Sequence, residues 1–141
     1  MAPCMSHANL EMAMTDAAKP QNVVVWFEIP AADFDRAVGF YEKIFETHLR
    51  REKIGPADLA VFPYDGNAVS GCVMKAEGYR PAADGCVVYL RTERDLAEPL
   101  ARVKSAGGRV SLPKTALPPG MGFFAHFVDS EGNRVGLHSM L

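Results

Sequence analysis

The spacing of apolar and polar residues changes along the chain, and each change marks an element. Val23 to Ile29 is a run of β-branched and aromatic residues ended by Pro30, the pattern of a largely buried strand. Asp33 then stands where a helix N-cap belongs, and Asp35 lies in the first turn, where the helix dipole favours an anion. Phe34, Val38, Tyr41 and Phe45 follow at helical spacing, which predicts an amphipathic helix of about three turns. Three shorter extended pieces come next: His48 to Ile54, Leu59 to Tyr64 and Val69 to Met74. The turn signals Gly55-Pro56 and Asp65-Gly66-Asn67 separate them.

After a linker from Gly78 to Gly85 the order begins again. Cys86 to Arg91 reads as a strand, Asp95 as the cap of a second helix, and Leu96, Leu100 and Val103 as its apolar stripe. Pro99 lies near the first turn, where proline does least harm, and Gly107-Gly108 is a stop. Arg109 to Leu112, Phe123 to Asp129 and Arg134 to Ser139 supply three more strands. The chain is therefore expected to be α+β, an internal duplication of a βαβββ unit. One domain over 22–141 would hold a first module at 22–77 and a second at 84–141. Residues 1–21, rich in Ala and Met, are expected to form a mobile N-terminal tail, with Met1 and Met14 both open as the translation start.

Composition narrows the function classes. The 141 residues are 48% hydrophobic and 23% charged with a net charge of −2, so the excess of Lys and Arg that a nucleic-acid surface requires is missing. No apolar run approaches the roughly 18 to 20 residues that cross a bilayer, and the N-terminus lacks the pattern of a signal peptide. Cys4, Cys72 and Cys86 form no C-x-x-C pair, which suits a reducing, cytoplasmic location. There is no G-x-S-x-G elbow, Gly-rich phosphate loop or dinucleotide fingerprint. Cys72 and Cys86 have no neighbouring base in sequence and are expected to be small, buried strand residues.

Several segments in order resemble the vicinal oxygen chelate superfamily, which includes glyoxalase I, bleomycin-resistance proteins and extradiol dioxygenases. They are Trp26-Phe27-Glu28-Ile29-Pro30, then Asp33 with Arg36-Ala37 and Phe40-Tyr41-Glu42-Lys43-Ile44-Phe45, then Ala60-Val61-Phe62-Pro63-Tyr64, Ala106-Gly107-Gly108 and Asp129-Ser130-Glu131-Gly132-Asn133-Arg134. The resemblance implies paired βαβββ modules, each curling a mixed sheet into half of a cup for a small molecule, and it implies a homodimer. Read by themselves, Phe40-Tyr41 is helix core, Ala106-Gly107-Gly108 a helix stop and Asp129 to Asn133 a turn.

The resemblance also implies a divalent metal held by His, Glu or Gln at four inward strand positions, acting as a Lewis acid. Those positions fall on Trp26, on Ser70 or Cys72, on Val88 or Tyr89, and on Gly136. None is a usual ligand for such an ion, so no metal and no other cofactor is expected. Strand alternation puts Glu28 on the side of Trp26 and His138 on the side of Gly136, which makes this pair the available substitutes. Otherwise Glu28 is a salt-bridging residue at a strand end and His138 a hydrogen-bonded or solvated one. His126 is expected in the core or an interface, and His48 in solvent; His7 lies in the tail.

Trp26, Glu28, Tyr89 and His138 are thus the candidate pocket residues, an aromatic cavity suited to a flat or apolar molecule. The segment from Pro113 to Gly122, with Lys114, is either a lid over its mouth or an ordinary exposed connection. Two functional classes stay open: a metal-free protein that binds a small organic molecule, and a divalent-metal-dependent lyase, isomerase or dioxygenase with displaced ligands. A third, a purely interaction-making module, would follow if the cup were filled by its own side chains.

Overall fold

Asp33 starts the first helix as its position promised. In the computed structural model, which describes residues 21–141, its backbone is extended and its carboxylate accepts from the Arg36 N–H at 3.1 Å, with helix α1 running Phe34–Phe45. Ala37, Val38, Phe40, Tyr41 and Ile44 form the buried stripe. Phe40 and Tyr41 are therefore core residues. The helix ends at Glu46, whose φ of 50° is the left-handed turn that returns its N–H to the Glu42 carbonyl.

Four strands pair around α1. They are β1 (Trp26–Pro30), β2 (Arg50–Ile54), β3 (Ala57–Val61) and β4 (Ser70–Lys75), in the sheet order β1-β4-β3-β2. β1 and β4 are parallel and the rest antiparallel. The second half repeats the design with β5 (Tyr89–Arg91), helix α2 (Ala97–Ala106), β6 (Arg109–Ala116), β7 (Phe123–Val128) and β8 (Arg134–Ser139), ordered β5-β8-β7-β6. Again the outer first strand runs parallel to the last one. The duplication read from element order is thus a duplication of topology: an α+β fold of two four-stranded mixed sheets.

One core joins the halves. Ile29, Val73 and Ala60 from the first sheet meet Leu90, Leu137, Ala125 and Phe127 from the second, with Val38, Tyr41, Leu96 and Val103 of the helical segments between them. Each sheet thus turns one face to the helices and the other away. Polar side chains fasten the same seam. The buried Asp129 carboxylate accepts from Tyr41 Oη at 2.6 Å. Glu131 accepts from the N–H groups of Ala32 and Asp33 and from Arg36, and Asn133 donates to the Pro30 carbonyl. The turn from Asp129 to Asn133 is indeed structural, with Gly132 at φ 95°, and it also caps a helix about a hundred residues away in sequence.

Four expectations need correction. The first strand begins at Trp26 rather than Val23, and Val23 and Val25 are 90% and 79% exposed. β1 is an edge strand paired with β4 alone, so an apolar run there is not covered on both sides. The fifth strand shrinks to Tyr89–Arg91, which leaves Cys86 exposed and outside any strand. Asp95 accepts from the Ala97 N–H, but Leu96 holds the N-cap position of α2. Finally, Pro113 to Ala116 is not loop but the end of β6. This is the other edge of its sheet, where a missing N–H is tolerated. Lys114 is tied to Asp95 at 2.8 Å, and the connecting turn is reduced to Leu117–Gly122.

The expected tail over 1–21, with Cys4, His7 and the choice of start, lies outside the described residues apart from Gln21. Among the described residues no helix is long and apolar enough to cross a membrane.

Candidate functional site

Register decides which side chains share the faces turned away from the helices. Directly paired residues point to the same side of a sheet. In the first sheet Trp26 pairs with Ser70 and Glu28 with Cys72, so all four share the outer face. In the second, Gly136 lies between Tyr89 and His126, and His138 between Arg91 and Phe124. The alternation read from sequence therefore places Glu28 with Trp26, and His138 with Gly136.

The position at Gly136 is occupied, but by a neighbour. A Cβ built there would lie 2.3 Å from Tyr89 Cδ1 and 2.5 Å from Cε1, because the tyrosine ring lies across the glycine. Such an arrangement covers a bare strand glycine with an aromatic face. Beyond it Tyr89 Oη and His126 Nε2 share a hydrogen bond of 2.7 Å. Phe124 stands edge-on to both rings, 6.4 Å from Tyr89 and 5.7 Å from His126 between centroids. Burial, then the positive charge of Arg134, lowers the His126 pKa below its ordinary value, so the ring is neutral at pH 7. Tyr89 remains 49% exposed. The second sheet thus presents an aromatic patch from β5 and β7 that lies across Gly136 of β8.

The four positions where the resemblance implies metal ligands do not fit a divalent ion. Trp26 has no lone pair to offer and is 40% exposed. The Ser70 hydroxyl donates to the Phe62 carbonyl at 2.8 Å. Cys72 is buried among apolar residues of its own sheet, and burial, then the negative charges of Glu28 and Glu52, pushes its thiol up to about 12. Val88 is apolar, Tyr89 is bonded to His126, and Gly136 has neither side chain nor space for one. The substitutes are separately engaged. Glu28 Oε1 accepts from Tyr79 Oη at 2.9 Å, and His138 Nε2 donates to the Met121 carbonyl at 2.8 Å. Among the described residues, no three His, Cys, Asp or Glu side chains converge.

One candidate residue lines a cavity at the seam. Glu28 borders a cleft of about 220 Å³ between β1, the linker before β5 and the start of β8, together with Arg80, Cys86, Val88, Asn133 and Arg134. Arg134, Gly136 and His138 alternate onto one face of β8, so Arg134 of the cleft lies on the same face as the aromatic patch. Neither Arg134 nor Arg80 was a candidate pocket residue in sequence, Arg134 being read only as the end of a turn and the start of a strand. The available signal was Gly136 itself, since a glycine inside a strand marks a close approach by a neighbour, and Arg134 is two residues from it. A larger depression of about 700 Å³ beside the N-terminus of α1 is lined by Arg51, Lys53, Asp35 and Asp58. Four of its charges pair with one another, Arg51 with Asp35 at 2.6 Å and Lys53 with Asp58 at 3.2 Å, which marks a solvated ion-pair surface.

Comparison with known proteins places this geometry in context. The family model for the Glyoxalase/Bleomycin resistance protein/Dioxygenase superfamily matches residues 23–137. No curated protein matches the chain. Solved structures with the same fold include glyoxalase I from Zea mays, 21% identical with a TM-score of 0.59, over 82% of this chain and 45% of that one. Another is the trypanothione-dependent glyoxalase I of Leishmania major, 16% identical with a TM-score of 0.58, over 85% and 88% of the two chains. A third is the fosfomycin resistance protein FosX of Listeria monocytogenes, 14% identical with a TM-score of 0.58, over 84% and 93%. The chain thus spans about half the length of the maize enzyme, and at these identities the likeness is one of fold.

Proposed function

The chain belongs to the Glyoxalase/Bleomycin resistance protein/Dioxygenase superfamily, and on that premise we propose that it binds a small organic molecule at the seam of its modules, without the divalent ion that the resemblance implies. The ligand enters the cleft beside Glu28 and Arg134 and lies along the Tyr89, Phe124 and His126 surface, with Trp26 and His138 on the same outward faces. The observation that carries this reading is the Tyr89 ring across Gly136. It fills the space in which a fourth ligand would stand and turns an ion site into an aromatic one. Aromatic surface with a few placed polar groups suits a flat organic molecule better than a hard cation.

The reading includes a cytoplasmic homodimer. Uncovered apolar residues at one sheet edge, Val23, Val25 and Trp26, support the dimer, and the free thiols of Cys72 and Cys86 support a reducing location.

The test is elemental analysis of the purified protein together with thermal unfolding in nickel, zinc, manganese and iron. Less than about 0.1 divalent ion per chain and an unchanged midpoint are expected, since an ion that binds only the folded state raises its stability by mass action. One tightly held ion per chain, lost with activity on chelation, would overturn the proposal in favour of the metal-dependent lyase, isomerase or dioxygenase with ligands such as Glu28 and His138.

A further inference from the structure

We propose that the seam cleft is an anion site, in which Arg134, assisted by Arg80, receives the carboxylate or phosphate group of the ligand. This rests on the cleft being a ligand pocket and goes further by naming the charge of what enters it.

The cleft is lined by an arginine with unused donors. A guanidinium is always charged and offers five N–H groups in a fixed plane. Arg134 commits one of them, from Nη2 to the Gly85 carbonyl, at 3.3 Å. That is long for a charge-assisted bond. Its Nε is buried without a partner, and no other buried side-chain nitrogen or oxygen among the described residues is in that state. Native structures rarely leave a buried donor unpaired, so an orphan at the edge of a cleft calls for an explanation.

The arginines elsewhere sharpen the contrast. Arg36, Arg50, Arg51 and Arg102 each hold a carboxylate within 3.1 Å. Arg80 and Arg134, the two that line this cleft, have no ion-pair partner among the described residues; Arg109 also has none but stands exposed at the start of β6, away from the cleft. Glu28 borders the same cleft, but its bond goes to Tyr79, and two cations against one carboxylate leave the cleft positive. Asn133 has no donor left for a ligand, because its amide nitrogen serves Pro30 and Asp129.

Shape agrees with charge. About 220 Å³ is small for a whole drug-sized molecule, which needs roughly 300 Å³ or more. It suits an anionic head group whose body continues over Tyr89. The Nη1 and Nη2 end of a guanidinium, of which Arg134 commits one Nη2 N–H to Gly85, offers parallel N–H groups that match two oxygens of one anion.

Cys86 supplies a local reporter, being exposed and part of the cleft lining. Its alkylation by iodoacetamide, an uncharged reagent, is followed by peptide mass spectrometry at constant ionic strength. The probes are benzoate, phenyl phosphate and benzamide at up to about 10 mM, a tenfold excess over a millimolar Kd. Benzoate or phenyl phosphate is expected to slow Cys86 labelling at least about threefold while benzamide does not, and the stronger of the two identifies the head group. Arg134→Gln should remove the protection, and Arg80→Gln, at an exposed position, should weaken it. Circular dichroism confirms that each variant is folded.

Equal protection by benzamide would overturn the anion assignment and leave the pocket standing. Unchanged anion protection in both variants would overturn the role of the arginines. No protection by any probe would overturn the anion site, while the metal analysis separately decides the reading beneath it.

Discussion

Replacing Gly136 with alanine tests whether the Tyr89 ring fills the position where the resemblance implies a ligand. The new methyl would lie 2.3 Å from Cδ1 and 2.5 Å from Cε1 of Tyr89, whereas non-bonded carbons rest at about 3.5 to 4.0 Å. The ring must therefore move by about 1 Å or more. Because it is half exposed, it swings outward instead of being crushed, which puts the steric cost near the lower end of overpacking, about 1 kcal/mol. Moving also breaks the 2.7 Å bond to His126, worth about 1 kcal/mol, and loosens the Phe124 contact, worth about 0.5 kcal/mol. Removing a glycine from a strand returns about 0.5 to 1 kcal/mol.

The net destabilisation expected is thus about 1 to 2 kcal/mol. In a Tyr89→Ala background the clash and both ring contacts are already gone, so Gly136→Ala becomes neutral or stabilising by about 0.5 kcal/mol. Urea unfolding of wild type, both single variants and the double variant closes a thermodynamic cycle. A coupling of about 2 kcal/mol is expected. A coupling below about 0.5 kcal/mol, the usual limit of additivity for independent sites, would refute the reasoning.

Two further predictions follow from groups that the fold buries. Burial by itself would raise the Glu131 pKa, but the bonds from Arg36, the Asp33 N–H and Ser130, with the Arg36 charge, outweigh it and hold the carboxyl below its ordinary 4.5. A depressed folded pKa gives stability that is complete above pH 4.5 and is lost as pH falls through the folded value. Glu131→Gln should therefore be less stable than wild type by about 2 kcal/mol near neutral pH. The gap should narrow in chemical denaturation on acidification to about pH 3, and a gap independent of pH would contradict the assignment. In native protein at about pH 8, iodoacetamide should label Cys86 and leave Cys72 untouched until unfolding, because a buried thiol pushed up to about 12 forms no reactive thiolate. Equal labelling of both in a timed mass-spectrometric assay would count against the burial of Cys72.

Much of the architecture was legible because it is encoded locally. Asp33 caps α1, the turn at Gly55-Pro56 joins β2 to β3 with Gly55 at φ 58°, and Gly107 stops α2 in the left-handed conformation. Each is a statement about a few neighbouring residues. The same holds for strand alternation, which correctly placed Glu28 with Trp26 and His138 with Gly136. Where coverage by another element mattered, the reading failed. Val23 to Val25 look like buried strand until β1 proves to be an edge, and Pro113 looks like a loop residue until β6 proves to be one as well.

The site was less legible for the same reason. Sequence could say that Trp26 and Gly136 are poor ligands, since that depends only on what each side chain carries. It could not say that Tyr89 lies across Gly136 and reaches His126, because that contact is set by pairing β5, β8 and β7, whose relevant residues lie about ten to fifty positions apart. Nor could it find Arg134 among fifteen basic residues: an arginine stands out only when its donors are seen to lack partners. The sequence by itself therefore determined the elements, their repetition and the chemistry that each side chain carries. The tertiary structure decided which side chains meet, because meeting depends on register and burial across the two modules, and neither is a property of any single stretch of chain.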